Sequence, residues 1–159
     1  MPETPAERAF REEKQRAAAA REAAVAAEQS AQVARQHAQE LEILALISEV
    51  RRKLEANGWR GAFGLKKRQT TWLLGKTKVR EVPAWFVTSY SFEAKATHDT
   101  YKATVTVLMD EYGGLFSENG MEMTTDGSNS FRDWNGKHID PQSEILSGLR
   151  RMKKELGSS

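Results

Sequence analysis

The chain has 159 residues, with 24 Lys or Arg against 22 Asp or Glu and no cysteine. That length suits one compact domain, or a domain plus an extension, and the lack of cysteine excludes a disulfide framework and thiolate metal sites, as fits a reducing, cytoplasmic setting. The longest run of large apolar residues, Ile43 to Ile47, is far short of the ~20 residues that span a bilayer, and MPETPAERAF lacks the basic and apolar regions of a signal peptide; a soluble intracellular protein without membrane insertion is expected.

Two physical regimes meet near Asn57. All four Trp, all three Tyr and five of six Phe follow Gly58, whereas 15 of 20 alanines precede it. The first regime opens with the start signals of a helix: a Thr4 cap, Pro5 where a missing N–H costs nothing, and Glu7 reaching back to the cap. No Gly or Pro follows until Asn57-Gly58, a typical stop. Residues 1–56 are therefore expected to form one long Ala-rich helix, and 57–159 a small α+β domain.

Along that helix Ala17, Ala20, Ala24, Ala27, Ala31, Ala34, Ala38, Leu41 and Ala45 alternate spacings of three and four, the seam of a left-handed coiled coil. The same spacing is compatible with a solitary charged helix, because alanine is the best helix former. The flanking charges favour pairing. Lys14, Arg21, Glu28, Arg35, Glu42 and Glu49 recur every seven residues, one position beyond alternate seam residues. In an antiparallel dimer with Ala31 opposite Ala34, Lys14 meets Glu49, Arg21 meets Glu42 and Glu28 meets Arg35. A slip of one heptad sets like charges together, and a parallel pair offers at most one such match. Exposed pairs contribute only tenths of a kcal/mol, so they choose register and direction more than strength. Near the helix end Ile43, Leu44, Leu46, Ile47, Val50 and Leu54 turn away from the seam and are expected to root the helix in the domain that follows.

Beyond Gly58 the apolar period becomes two. Thr70 to Leu74 and Thr77 to Val82 are weak strand candidates, with Pro83 arguing against a central position. Trp85 to Ala94 and Tyr101 to Met109 form an antiparallel hairpin about Thr97-His98-Asp99. Turns are expected at Asp110 to Gly114 and at Asn119-Gly120, with short strands near Leu115-Phe116 and Met121 to Thr124. Thr125 to Pro141 reads as a long loop, and Asp140-Pro141 opens a last helix, striped by Ile145, Leu149, Met152 and Leu156 and ended by Gly157. The fold class is α+β: a long helix of coiled-coil type, a small antiparallel sheet and a closing helix.

No catalytic constellation emerges. His98-Asp99 sits at a hairpin tip, where polar residues belong, and Asp140 is accounted for as a helix cap. Asp126, Ser128, Ser130 and Asp133 space oxygens like a calcium loop, yet lack its sixth-position glycine and twelfth-position glutamate. Gly58, Gly61 and Gly64 follow a helix rather than a strand, so they make no phosphate-cradling motif. No enzyme activity, cofactor or metal is expected.

The distinctive feature is charge. Arg51 to Arg80 carries ten Lys or Arg against the single acid Glu55, interleaved with Trp59, Phe63 and Trp72. The aromatics, with Leu73, are expected to be core. Arg60, Lys66, Lys67, Arg68, Lys76, Lys78 and Arg80 are candidates for binding a protein partner with an acidic surface. The alternative is a nucleic-acid surface, in which clustered bases displace counterions and aromatics stack. An anionic membrane surface would need a longer amphipathic helix. The function expected is therefore a non-catalytic, homo-oligomeric assembly module, with nucleic-acid binding as the alternative.

Overall fold

The computed structural model describes residues 1–58, 63–71 and 76–157, and the side chains of these except at positions 63, 68–71 and 76–78. A first helix, α1 (Pro5–Ala56), is followed by β1 (Phe63–Thr71), β2 (Lys76–Lys95), β3 (Thr100–Asp110), β4 (Leu115–Ser117), β5 (Phe131–Arg132), β6 (His138–Ile139) and α2 (Pro141–Gly157). The chain divides into two compact units, Met1–Gln36 and His37–Ser159. The order of elements is the α+β architecture expected.

The first unit holds the opening turns of α1. Its start is a reciprocal capping box: Glu7 N–H donates to Thr4 Oγ1 (3.2 Å) while Thr4 N–H donates to Glu7 Oε2 (2.8 Å). The Thr4 N–H first, and then its hydroxyl, hold the Glu7 carboxyl below its ordinary value. The helix ends as the sequence implies. Asn57 N–H and its side-chain amide both donate to Lys53 C=O, and Gly58 turns away at φ 89°.

The second unit is built on β2, a strand of 20 residues with two different neighbours on its two edges. Its first half pairs with β1, from Thr71↔Lys76 to Phe63↔Ala84. Its second half pairs with β3, from Ala84↔Asp110 to Lys95↔Thr100. Pro83 thus does not end the strand; it lies one residue before β3 begins to pair, where β2 has a neighbour on one edge only. The hairpin about residues 96–99 is the one expected, closed by reciprocal Ala96 and Asp99 backbone bonds. β4 adds to β3.

One face of this sheet is covered by helices. Ile43, Leu46, Ile47, Val50 and Leu54 of α1 and Ile145, Leu146, Leu149 and Met152 of α2 bury against Trp85, Val87, Val107, Met109 and Leu115. Each such side chain contributes about 1.5–3 kcal/mol of transfer free energy. The sheet curls so that its other face closes on itself, burying Leu65, Ala84 and Leu108 among Val82, Phe86 and Phe116. The alternation expected of β3 therefore fails at its end, where Val107 to Asp110 are all buried. Two further expectations are corrected. Met121 to Thr124 makes only an isolated bridge, Phe116↔Glu122, and the Thr125–Pro141 loop contains the short β5–β6 hairpin. The TTWLL candidate lies outside the described residues beyond Thr71, as do Trp59, Trp72 and Leu73 and the Phe63 side chain.

A register shift between Phe86 and Thr88 bulges β2 at Val87, and Gly148 of α2 lies close against it. A Cβ on Gly148 would stand 2.3 Å from Val87 O. Alanine at an unobstructed helix position stabilises by ~1 kcal/mol over glycine; here backbone is in the way, so overpacking wins. Gly148→Ala is expected to lower the unfolding free energy by about 1–3 kcal/mol in urea titrations. At the other end, the capping box has the sign of a depressed carboxyl: its contribution is complete above the ordinary glutamate value and disappears as pH falls through the lowered one. Exchange protection at Glu7 and Arg8, corrected for the intrinsic fall of the exchange rate with pH, is expected to drop on acidification, and Glu7→Gln to flatten that dependence.

Candidate functional site

Seam residues are exposed in each unit: Ala17, Ala20, Ala24, Ala27, Ala31 and Ala34 in the first, and Ala38, Leu41 and Ala45 in the second. With 3.6 residues per turn, Ile43, Leu46, Ile47, Val50 and Leu54 project from the side opposite that seam. Within the second unit the core has therefore packed on the helix face opposite Ala38, Leu41 and Ala45. Leu41 is 55% exposed and Leu44 is 47% exposed. Leu44 corrects the expectation that it would join the core; it borders the seam instead. In the first unit a shallow groove of about 410 Å³ runs along Phe10, Glu13, Lys14, Ala17, Ala18 and Arg21.

The edge charges divide in two. Arg21, Glu28 and Arg35 are exposed and make no ion pair among the described residues. Glu42 and Glu49 are already engaged by α2. Arg150 donates to Glu42 Oε1 through Nε (3.0 Å) and Nη2 (2.5 Å), and Lys153 Nζ stands 3.1 Å from Glu49 Oε2. The Arg150–Glu42 pair is exposed and the Lys153–Glu49 pair half-exposed, so each contributes only about 0.2–1 kcal/mol.

Most of the basic segment lies on the β1–β2 pairing, where Lys67 stands opposite Arg80, and its described bases meet different surroundings. Lys67 donates to the Asp110 carboxylate and lies 4.3 Å above the Phe116 ring. Asp110 is 2% exposed and its other oxygen accepts the Tyr112 (3.0 Å) and Gly114 (2.8 Å) N–H groups. Lys67 is thus a structural cation closing the curl of the sheet, not a free binding group. Asp110 at a strand end before Gly113-Gly114 marks a turn that needs a carboxylate acceptor, but that signal does not name the base that pairs with it. Lys66 is exposed beside Val79 and the Glu118 to Met121 turn, and Arg80 is exposed on β2. Arg60 lies outside the described residues, as do the side chains of Arg68, Lys76 and Lys78.

The remaining polar candidates resolve into local structure. Asp140 caps α2, accepting Gln142 N–H (3.1 Å) and the Ser143 hydroxyl (2.6 Å). Asp126 accepts from Ser128, whose hydroxyl first and N–H second lower its carboxyl. Asp133 accepts the Asn135 (3.1 Å) and Lys137 (2.8 Å) N–H groups. The acids of the calcium-like spacing thus cap their own turns. Among the described residues no three His, Cys, Asp or Glu converge on a metal site, and no helix is long and apolar enough to cross a membrane.

The sequence reading missed the way the β5–β6 hairpin docks on the far end of β2. Phe131 meets Phe92 edge to face at 5.0 Å, Lys95 lies 4.9 Å over Trp134, and Asn135 donates to Glu93. Next to it, burial first and the Glu144 charge second raise the Tyr90 hydroxyl. Asn135-Gly136 was the available signal, an Asn-Gly turn inside the supposed loop.

No protein-family model matches the chain, and neither curated proteins nor solved structures give a match. Function therefore rests on the geometry alone. The first test concerns the basic segment: Asp110→Ala leaves Lys67 and two turn amides without their acceptor and is expected to cost about 3 kcal/mol of stability. Lys66→Ala, at an exposed position, is expected to change the urea midpoint by less than about 0.5 kcal/mol equivalent.

Proposed function

We propose that this protein is a non-catalytic assembly module, in which α1 pairs antiparallel with α1 of a second copy and the α+β domain serves a further protein partner. The observation that carries the reading is that the core buries the α1 face opposite Ala38, Leu41 and Ala45 and leaves these seam residues, with Leu44 beside them, exposed. A stripe of small residues with large apolar neighbours at one end has its complement in the other end of a reversed copy. With Ala31 opposite Ala34, Leu41 faces Ala24 and Leu44 falls beside Ala23.

The charges refine this arrangement. The bonds from Arg150 and Lys153 mean that Glu42 and Glu49 would be shared between α2 and the second copy's Arg21 and Lys14. The outer pairs then weigh less than on a bare helix, and Glu28 with Arg35, which occurs twice at the centre, sets the register. Each seam methyl contributes under about 1 kcal/mol, against an association cost of about 4–15 kcal/mol, so a micromolar dimer is expected. Commitment of Lys67 to Asp110 removes one base from the stretch Arg51 to Arg80, which favours assembly over a phosphate-binding surface.

Sedimentation of the full chain at tens of micromolar is expected to show a dimer; a monomer there rejects the proposal. The chain has no cysteine, so Ala24→Cys and Leu41→Cys variants can be mixed and oxidised. Antiparallel pairing predicts the mixed disulfide in excess, whereas parallel pairing yields only like-with-like products. Glu28→Lys is expected to weaken the dimer several-fold, and Glu28→Lys with Arg35→Glu to restore it.

A further inference from the structure

Before Asn57 the chain has a single aromatic residue, Phe10, and it stands on the line of the seam. Phe10 and Glu13 continue the three-four spacing ahead of Ala17, as Ser48, Arg52 and Glu55 continue it beyond Ala45. In the first unit Phe10 is 70% exposed, and Glu13 is exposed and makes no ion pair among the described residues. In the second unit the same holds for Arg52. An aromatic ring, a carboxylate and a guanidinium are thus all without employment at opposite ends of the seam.

The groove of the first unit has the form of a socket. Phe10, Glu13, Lys14 and Ala17 line it and are related as i, i+3, i+4 and i+7, the four-residue hole into which a coiled-coil partner inserts one side chain. The antiparallel register that sets Ala31 opposite Ala34 sets Glu13 opposite Arg52, eighteen residues further out on each helix. The edge charges fix that register without reference to either residue. Other registers do not bring the two together: a slip of one heptad sets Glu13 against Ala45 or Trp59, and parallel pairing sets Glu13 against Glu13 and Arg52 against Arg52.

We infer that this socket receives Arg52 of a second copy, which closes each end of the paired helices. The Glu13 carboxylate accepts from the guanidinium, and the face of the guanidinium lies on the Phe10 ring, a combination that lysine could not reproduce. Signs alternate around the hole, because Lys14 on its rim meets Glu49, one turn before Arg52. The remaining charges of the opening turns are used locally: Arg11 pairs with Glu3 (3.0 Å) and Glu7 closes the capping box. On the opposite margin Arg16 approaches Arg51, whose Nε is turned to Glu111 O (3.1 Å). Two-fold symmetry makes the contact twice, and each socket is incomplete without the other copy. The inference rests on the antiparallel pairing proposed above and assigns its terminal contact.

Sedimentation equilibrium of the full chain tests it. Glu13→Arg and Arg52→Glu are each expected to weaken self-association about tenfold, since each turns two contacts from attraction to repulsion. An equimolar mixture of the two variants is expected to form a mixed dimer as tight as that of the natural chain, because both of its sockets again join opposite charges. Phe10→Ala is expected to weaken the dimer about fivefold. Single variants that associate as tightly as the natural chain, or a mixture no tighter than either variant alone, would overturn the socket. The two levels separate cleanly: a natural chain that dimerises and ignores these substitutions loses the socket and keeps the pairing, whereas a natural chain that stays monomeric at tens of micromolar loses the pairing and the socket with it.

Discussion

The contact on which the rest of the molecule depends is the burial of one face of α1 against the sheet. Ile43, Ile47 and Val50 enter the core with Trp85, Val87, Val107 and Met109, and a helix has only one back to its front. Once these β-branched side chains are buried, the rotation of this part of the helix is decided. Ala38, Leu41 and Ala45 then face outward, and with them the lower part of the seam. The same packing brings α2 alongside, so that Arg150 and Lys153 reach the carboxylates at the seam's margin. A single apolar interface thereby defines an open surface, its orientation and part of its charge.

The sheet follows a second constraint, the length of β2. A strand that pairs with β1 over its first half and with β3 over its second has two half-empty edges. The fold treats them differently. Along the first half the sheet curls, and Lys67, Asp110 and Phe116 close the curl with a charge-assisted bond in a nearly dry setting. Along the second half Arg151 of α2 reaches Val87 O and the Trp134 N–H, ahead of β6, reaches Glu93 O, so that Ser89 and Ser91 lie between two engaged positions. Exposed edges invite further pairing, and here the flanking contacts limit it.

Legibility in the sequence tracked the range of the forces involved. The capping box at Thr4 and Glu7, the Asn57-Gly58 stop, the hairpin about residues 96–99 and the Asp140 cap all depend on neighbours within about four residues, and each could be read directly. The rooting of α1 by Ile43 to Leu54 was legible because apolar bulk leaving an alanine stripe needs cover. Leu44 was misread since its size suggested the core, whereas its angle on the helix placed it beside the seam. The fate of Lys67 was not legible at all: Asp110 is 43 residues away, and a run of lysines and arginines carries no mark of which member will be withdrawn from solvent.

By itself, the sequence determined the order of elements, the long helix with its caps, the spacing of its alanines and the antiparallel hairpin, because periodicity and capping are properties of consecutive residues. Only the tertiary structure decided that Pro83 lies within a strand, that the end of β3 is covered on both faces, that Glu42 and Glu49 pair with Arg150 and Lys153 of α2, and that no strand among the described residues pairs beside Ser89 and Ser91. Those outcomes follow from which elements meet across long stretches of chain, where curl, bulge and helix rotation act together and no local pattern records the result.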